Sequence, residues 1–278
     1  MNLCDVPTLK SLLERHGLKP TKLFGQHFLI SPNVVEAIVS RVEAFGAKSV
    51  FEVGPGPGVL TTRLAEQLPV SAVEIDPVAV SALTESAPSA KVIQADALQV
   101  NLGEHCRELP SPRAVVSNMP YNITGPLLTA FTRFRSDYVV AILMMQKEVG
   151  EKILAEPGDR EIGSISVFLK SRFDVEIVCK APAGAFFPPP KVDSLVLQFV
   201  PKPAMPKKLD ASHESLVRQA FSQPRKTLAN NLKALNLPQS LFSDWLDAHD
   251  YHNAIRPHEV SLDAWMKLAQ DWDATRRT

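Results

Sequence analysis

Cysteine is scarce in this chain of 278 residues: Cys4, Cys106 and Cys179 lie far apart and without metal-ligand spacing. So small and scattered a set excludes a disulfide framework, fits a reducing compartment and gives no reason to expect a metal. Long apolar runs are missing too. The longest, 139–145, falls well short of the ~18 residues that a membrane-crossing helix needs. Neither sign of charge is in excess, with 30 Lys and Arg against 30 Asp and Glu. Alone, that balance argues against a nucleic-acid partner, which a basic excess usually serves. The start, MNLCDVPTLKSLLERHG, carries Asp5, Pro7 and Glu14 where a secretory leader needs an apolar stretch, and it is too acidic for a mitochondrial presequence. The expectation is a soluble, cytoplasmic protein with no membrane partner, and nothing suggests more than a monomer. Its apolar content of 45% is that of a folded chain rather than a disordered one.

Charge is balanced but not evenly spread. Residues 202–233 hold seven cations against two anions, and residues 242–273 hold seven anions against two cations. Ordinary solvated helix faces explain either run by itself, so the segregation alone decides nothing.

Short apolar segments alternate with amphipathic ones over the first part of the chain. Strands are predicted at 49–53, 70–75, 91–95, 113–118 and 138–144. Helices are predicted at 31–45 (Ser31 as cap, Pro32 at the first position), 59–68, from Pro77, and from about Pro126. That alternation predicts a parallel sheet covered on both faces, an α/β domain. Later strands are expected at 174–181 and 194–201, on either side of the stiff stretch AGAFFPPPK. KPAMPKK (202–208) reads as a linker, and beyond it 213–235 and 238–272 read as helical. The expected division is residues 1–202 for the α/β domain and 203–278 for a small all-α domain.

Three of only twelve glycines, Gly54, Gly56 and Gly58, fall within five residues between a strand and a helix. Glycine there lets backbone approach a ligand closely. The dinucleotide fingerprint needs a further glycine where Val59 stands, and Pro55 and Pro57 remove N–H groups that a pyrophosphate would use. The loop suits a nucleoside better than a dinucleotide. Glu74, at the end of the next strand with Asp76 close by, can accept from ribose hydroxyls. Asp96, after the third strand, can accept from an adenine amine; its bland alternative is a helix cap.

Asn118-Met119-Pro120-Tyr121 follows the fourth strand, at the carboxyl edge where open sheets bind ligands. An aromatic amine is a poor nucleophile because its lone pair is delocalised into the ring. An amide oxygen and a backbone carbonyl can each accept one of its N–H bonds and hold the nitrogen in line, and Tyr121 offers a face for stacking. Phe186 or Phe187, held by the run Pro188-Pro189-Pro190, can cover the other face of the same base. Phe221, Gln223, Arg225, Lys226 and Thr227 lie in the basic stretch and suit phosphate contacts in RNA.

Taken together, GQHFL (25–29), EVGPGPGVLT (52–61), VEID (73–76), QADAL (94–98), NMPYNITGPLL (118–128), LMMQKEV (143–149), FFPPPKVDS (186–194) and AFSQPRKTLANNL (220–232) resemble the small-subunit ribosomal RNA adenine N6,N6-dimethyltransferase family. They run in family order over roughly residues 20 to 265. The resemblance implies a seven-stranded, Rossmann-like S-adenosylmethionine-dependent methyltransferase domain followed by a small helical domain. It implies dimethylation of two adjacent adenosines near the 3′ end of small-subunit rRNA during ribosome biogenesis. His27, Leu29, Gly54, Glu74, Asp96 and Asn118 match the cofactor-binding positions; Asn118, Tyr121 and Phe186 match those that hold the target adenine.

Three positions depart from the family pattern. His27 stands where Asn is usual, and an imidazole keeps a donor but can change charge. Ile162-Gly163-Ser164 stands where Tyr-Gly-Arg is common, and Pro224 where a further Arg is common. The alternatives are a related dimethyltransferase of large-subunit rRNA, which FFPPPKVDS and QPRKT disfavour, and a non-catalytic RNA-binding assembly factor, which intact Glu74, Asp96 and Asn118-Met119-Pro120-Tyr121 disfavour.

Overall fold

The computed structural model describes residues 1–18 and 27–276. Gly25 and Gln26 of the GQHFL segment, and the C-terminal pair 277–278, lie outside the described residues.

The first compact unit comprises Met1–Gly150 and Asp174–Pro201. It opens with α1 (Val6–His16), an element not expected from the sequence. The Asp5 carboxylate accepts from Thr8 N at 3.0 Å, Gly17 closes the helix at φ 66°, and Leu9, Leu12 and Leu13 are buried at helical spacing. Then follow β1 (Phe28–Leu29), α2 (Pro32–Ala44), β2 (Ser49–Val53), α3 (Val59–Leu64), β3 (Val70–Glu74), α4 (Pro77–Ser86) and β4 (Lys91–Gln94). After them come α5 (Leu102–Arg107), β5 (Arg113–Asn118), α6 (Thr124–Arg133), β6 (Val140–Gln146) and α7 (Lys147–Leu154). In α2 the stripe Val35, Ile38, Val39 and Val42 faces the core, and Pro32 takes the first position. Ser31, expected to cap α2, makes no side-chain bond there. In α4 the cap is real: Asp76 Oδ1 accepts from Val78 N at 2.9 Å ahead of Pro77.

The remaining strands are β7 (Phe173–Ala181), β8 (Phe186–Phe187) and β9 (Ser194–Pro201). The main sheet has seven strands in the order β4-β3-β2-β5-β6-β9-β7. The pairs β2·β3, β3·β4, β2·β5 and β5·β6 are parallel, whereas β9 runs antiparallel to β6. An all-parallel sheet is therefore corrected to a mixed one. The reason is connectivity: β9 joins the sheet without the helical crossover that a parallel neighbour requires. Strand order reverses at β2, which has β3 on one side and β5 on the other, and the carboxyl ends at such a switch point open a crevice. A separate two-stranded ribbon pairs Phe28 with Phe187 and Leu29 with Phe186.

The second unit takes in Glu151–Phe173 and Lys202–Thr278. The first of these segments was assigned from sequence to the α/β domain. Its helix α8 (Ser164–Lys170) joins α9 (Lys207–Ala220), α10 (Leu228–Leu232), α11 (Gln239–Ala248) and α12 (Leu262–Thr275). Burial explains the assignment: Ala155, Ile162 and Val167 share one core with Leu216, Trp245 and Trp265. Arg172, 2% exposed, pairs with Asp210 and lies 3.8 Å above the Phe168 ring. Among the described residues no helix is long and apolar enough to cross a membrane.

Candidate active site

Four parallel strands bring their carboxyl ends to one edge, and each ends in a residue singled out above. β2 leads into Gly54, β3 ends at Glu74, β4 leads through Ala95 to Asp96, and β5 ends at Asn118. The edge is locked by main-chain and hydroxyl bonds. Ser117 Oγ donates to Val53 O at 2.7 Å and Gly54 N donates to Val73 O at 2.9 Å. These bonds hold the Asn118 turn against the glycine loop, and the Pro120 ring lies 3.7 Å from where a Gly54 Cβ would be.

The loop itself demands glycine. A Cβ on Gly56 (φ 58°) would sit 3.2 Å from the Phe28 ring. One on Gly58 (φ 95°) would come within 2.7 Å of Leu83 Cδ1 and Ser86 Oγ. The path of the loop is thus fixed by its neighbours as much as by its own flexibility.

Between loop and turn lies a cavity of about 340 Å³, within the range of small-molecule sites. His27, Leu29, Gly54, Glu74, Asp96, Asn118 and Tyr121 all line it. Phe186 does not. It is 2% exposed and sits in the main core, because its pairing with Leu29 in the two-stranded ribbon commits its side chain inward. Its expected place on the face of the base is therefore corrected: the structure puts Phe186 outside the cavity.

The cavity is acidic. Glu52, Glu74 and Asp96 line it, and among the described lining residues there is no lysine or arginine. A ligand bearing positive charge is favoured there and a pyrophosphate is not. Glu74 Oε1 accepts from Ile75 N and Asp76 N at 2.8 and 3.0 Å, and Oε2 accepts from Gly56 N at 3.0 Å. Two oxygens offer about four acceptor positions, so capacity remains on Oε2 for a ligand hydroxyl. Burial raises the Glu74 pKa above the usual carboxylate value, against the lowering effect of those three N–H donors. Asp96 Oδ1 accepts from Leu98 N at 2.8 Å, which realises its capping role on a turn while Oδ2 stays clear of that bond.

Glu52 was not singled out from sequence. It is 1% exposed, Thr61 Oγ1 donates to its Oε2 at 2.6 Å, and burial pushes its pKa up to about 7, with a smaller upward push from the Glu74 charge. Its signal was present, since a carboxylate inside the apolar strand SVFEV must face something other than hydrocarbon.

Asn118 Nδ2 donates to the His27 carbonyl at 3.1 Å. A carbonyl only accepts, so this contact fixes the amide with nitrogen toward His27 and leaves Oδ1 as the acceptor for a ligand amine. Tyr121 is held at its far end, where its hydroxyl lies 2.8 Å from Ser194 Oγ, and its ring stacks on the His27 imidazole at a centroid distance of 5.5 Å.

In the second unit Arg225 and Lys226 are exposed on a loop ahead of α10. Buried Asn231 braces that loop: its Oδ1 accepts from Gln223 N at 3.2 Å and its Nδ2 donates to Gln223 O at 3.0 Å.

Residues 17–259 match the family model described as ribosomal RNA adenine dimethylase. A curated relative from Phenylobacterium zucineum, named ribosomal RNA small subunit methyltransferase A, is 37% identical over 99% of this chain and 96% of its own. A dimethyladenosine transferase from Plasmodium falciparum shares the fold with a TM-score of 0.71, at 25% identity over 90% of this chain and 98% of that one. The 23S rRNA methyltransferase ErmE superposes with a TM-score of 0.67, at 25% identity over 88% of this chain and 99% of its own. The chain belongs to the ribosomal RNA adenine dimethylase family.

Proposed function

We propose that the chain dimethylates N6 of two adjacent adenosines near the 3′ end of small-subunit rRNA, with S-adenosylmethionine as methyl donor and the protein acting as a monomer. The observation that carries this reading is the meeting, at one sheet edge, of an acidic nucleoside-sized cavity and an asparagine whose amide oxygen is oriented by its neighbours. The donor fits the cavity by charge: its sulfonium and ammonium balance Glu52, Glu74 and Asp96, residues that would repel a nucleotide phosphate. Bound there, it supplies an electrophilic methyl group.

The chain's own residues then do three things. Glu74 and Asp96 orient the nucleoside through their spare oxygens. Asn118 Oδ1 accepts one N–H of the target amine, which localises the nitrogen lone pair and aims it. Tyr121 receives the flipped base on its ring, the adenosine having left its stack to reach the edge. A strong base is not required, because the amine proton becomes acidic only after the methyl group arrives.

The small-subunit assignment draws on the curated relative's name and on the FFPPPKVDS and QPRKT segments. It is tested by incubating the protein with labelled S-adenosylmethionine and either unmethylated small or large ribosomal subunits. Label is expected in N6,N6-dimethyladenosine of the small subunit. Label confined to the large subunit would reverse the assignment, and no transfer to either would point to a non-catalytic assembly factor.

RNA contact by the helical unit makes a second expectation. Arg225→Ala with Lys226→Ala should remove about two phosphate contacts and flatten the log–log salt dependence of RNA affinity by ~1.5. An unchanged slope in a filter-binding titration from low to moderate salt would show that this loop does not touch phosphate.

A further inference from the structure

The ring found against Tyr121 is His27, not Phe186. Four observations define its setting. The two rings are stacked, 29° from parallel, with centroids 5.5 Å apart. His27 Nδ1 lies 2.8 Å from the Pro188 carbonyl, which can only accept, so Nδ1 carries a proton and donates. The His27 carbonyl accepts from Asn118, so the same residue orients the amide that receives the target amine. Tyr121 is pinned by the fully buried Ser194 at the start of β9, within the paired sheet.

A base sandwiched between two rings needs centroids about 7 Å apart, two contact distances of ~3.5 Å. The observed 5.5 Å falls short of that by an amount small enough for one ring to shift. Tyr121 is held by a buried partner in the sheet, whereas His27 precedes a two-residue strand and is partly exposed, so it is the ring with room to give. Phe186 has no such freedom, since its side chain is spent in the core.

We propose that the His27 imidazole is the second aromatic wall of the target-base slot, receiving the flipped adenine opposite Tyr121 and standing in its place when RNA is absent. This rests on the adenine-methylation reading above and adds to it a base-stacking residue at a position where the family's usual asparagine has no ring.

The test uses His27→Ala, His27→Leu and His27→Phe in the full chain, with two readouts. The first is kcat/KM for methyl transfer to unmethylated small subunits at saturating S-adenosylmethionine; the second is the calorimetric Kd for S-adenosylmethionine. Base–aromatic stacking predicts a roughly 10- to 100-fold loss of kcat/KM in both the Ala and Leu variants. The Phe variant, which restores a flat face but not the bond to Pro188, should recover to within about fivefold of wild type. Cofactor Kd should stay within about threefold throughout, which also certifies that each variant is folded. A Phe variant as deficient as Leu, or Ala and Leu variants within twofold of wild type, would overturn the proposal. So would a tenfold loss of cofactor affinity that alone explains the defect, since His27 would then be a cofactor contact. Absence of transfer by the wild-type protein would overturn the methylation reading itself, and that result is distinguishable from any pattern among the variants.

Discussion

Asn118→Ala is expected to lower single-turnover methyl transfer by roughly 100- to 1,000-fold, the usual consequence of removing one preorganised polar group from a reaction centre. The amide makes one bond within the protein, to the His27 carbonyl at 3.1 Å. Its loss should therefore cost the fold only about 1 kcal/mol. Oδ1 points away from that bond, and no other side chain at the end of β5 can replace it as an acceptor. Asn118→Asp separates geometry from chemistry. The carboxylate keeps an oxygen in place but faces the His27 carbonyl with a second acceptor, and it adds a further negative charge to a cavity that already holds three carboxylates. It should fail nearly as badly as Ala. The check is a single-turnover assay at saturating cofactor, with subunit binding measured in parallel. Transfer within tenfold of wild type in the Ala variant would remove Asn118 from the reaction.

Much of this site was readable because a parallel sheet sends every strand's carboxyl end to the same edge. Once 49–53, 70–75, 91–95 and 113–118 were strands, Gly54, Glu74, Asp96 and Asn118 had to be neighbours, although sixty-four residues separate the first from the last. Where the reading departs from the structure, the deciding contacts are between segments distant in the chain. Phe186 looked like a rim aromatic because the proline run beside it is stiff, yet its side chain is committed by pairing with Leu29, in a ribbon of two-residue strands too short to show any period. Residues 151–173 follow β6 and α7 without a linker. They join the helical unit because Ala155, Ile162 and Val167 find their apolar partners there, and because Arg172 finds Asp210. The missed helix α1 is different in kind. Its cap at Asp5, its Leu9-Leu12-Leu13 stripe and its closing Gly17 were all local, and could have been found by the same rules that located α2.

Glu52→Gln is expected to stabilise the protein while weakening its hold on the cofactor. Burial lifts the Glu52 carboxyl from an ordinary 4.5 to about 7 in the folded chain. Below pH 4.5 the group is protonated whether folded or not, and its effect on stability is nil. As pH rises from 4.5 to 7 the unfolded chain releases this proton while the folded chain retains it, so stability falls through that window and levels off above it. A shift of that size corresponds to about 3 kcal/mol at pH 8 and about 1 kcal/mol at pH 5. Glutamine keeps an oxygen for Thr61 and cannot ionise, so the variant should exceed wild type by about 2–3 kcal/mol at pH 8, with the gap shrinking toward pH 5. Glu74, whose pKa is also raised by burial, loses stability over the same side of neutrality and is present in both proteins, so it cancels in the comparison. Ligand binding runs the other way. A sulfonium donor favours the ionised form of Glu52, so its binding expels a proton from wild type and its affinity should climb as pH rises toward 7. The Gln variant should lose most of that dependence. S-adenosylhomocysteine, which has no sulfonium charge, should discriminate less between the two proteins. Urea midpoints and calorimetric affinities at pH 5, 6, 7 and 8 measure both halves. A Gln variant less stable than wild type at pH 8, or equal pH dependence of cofactor affinity in the two proteins, would show that Glu52 is not the buried counter-charge. A carboxylate kept in the cavity floor at a cost to the fold is accounted for by the cation it meets there.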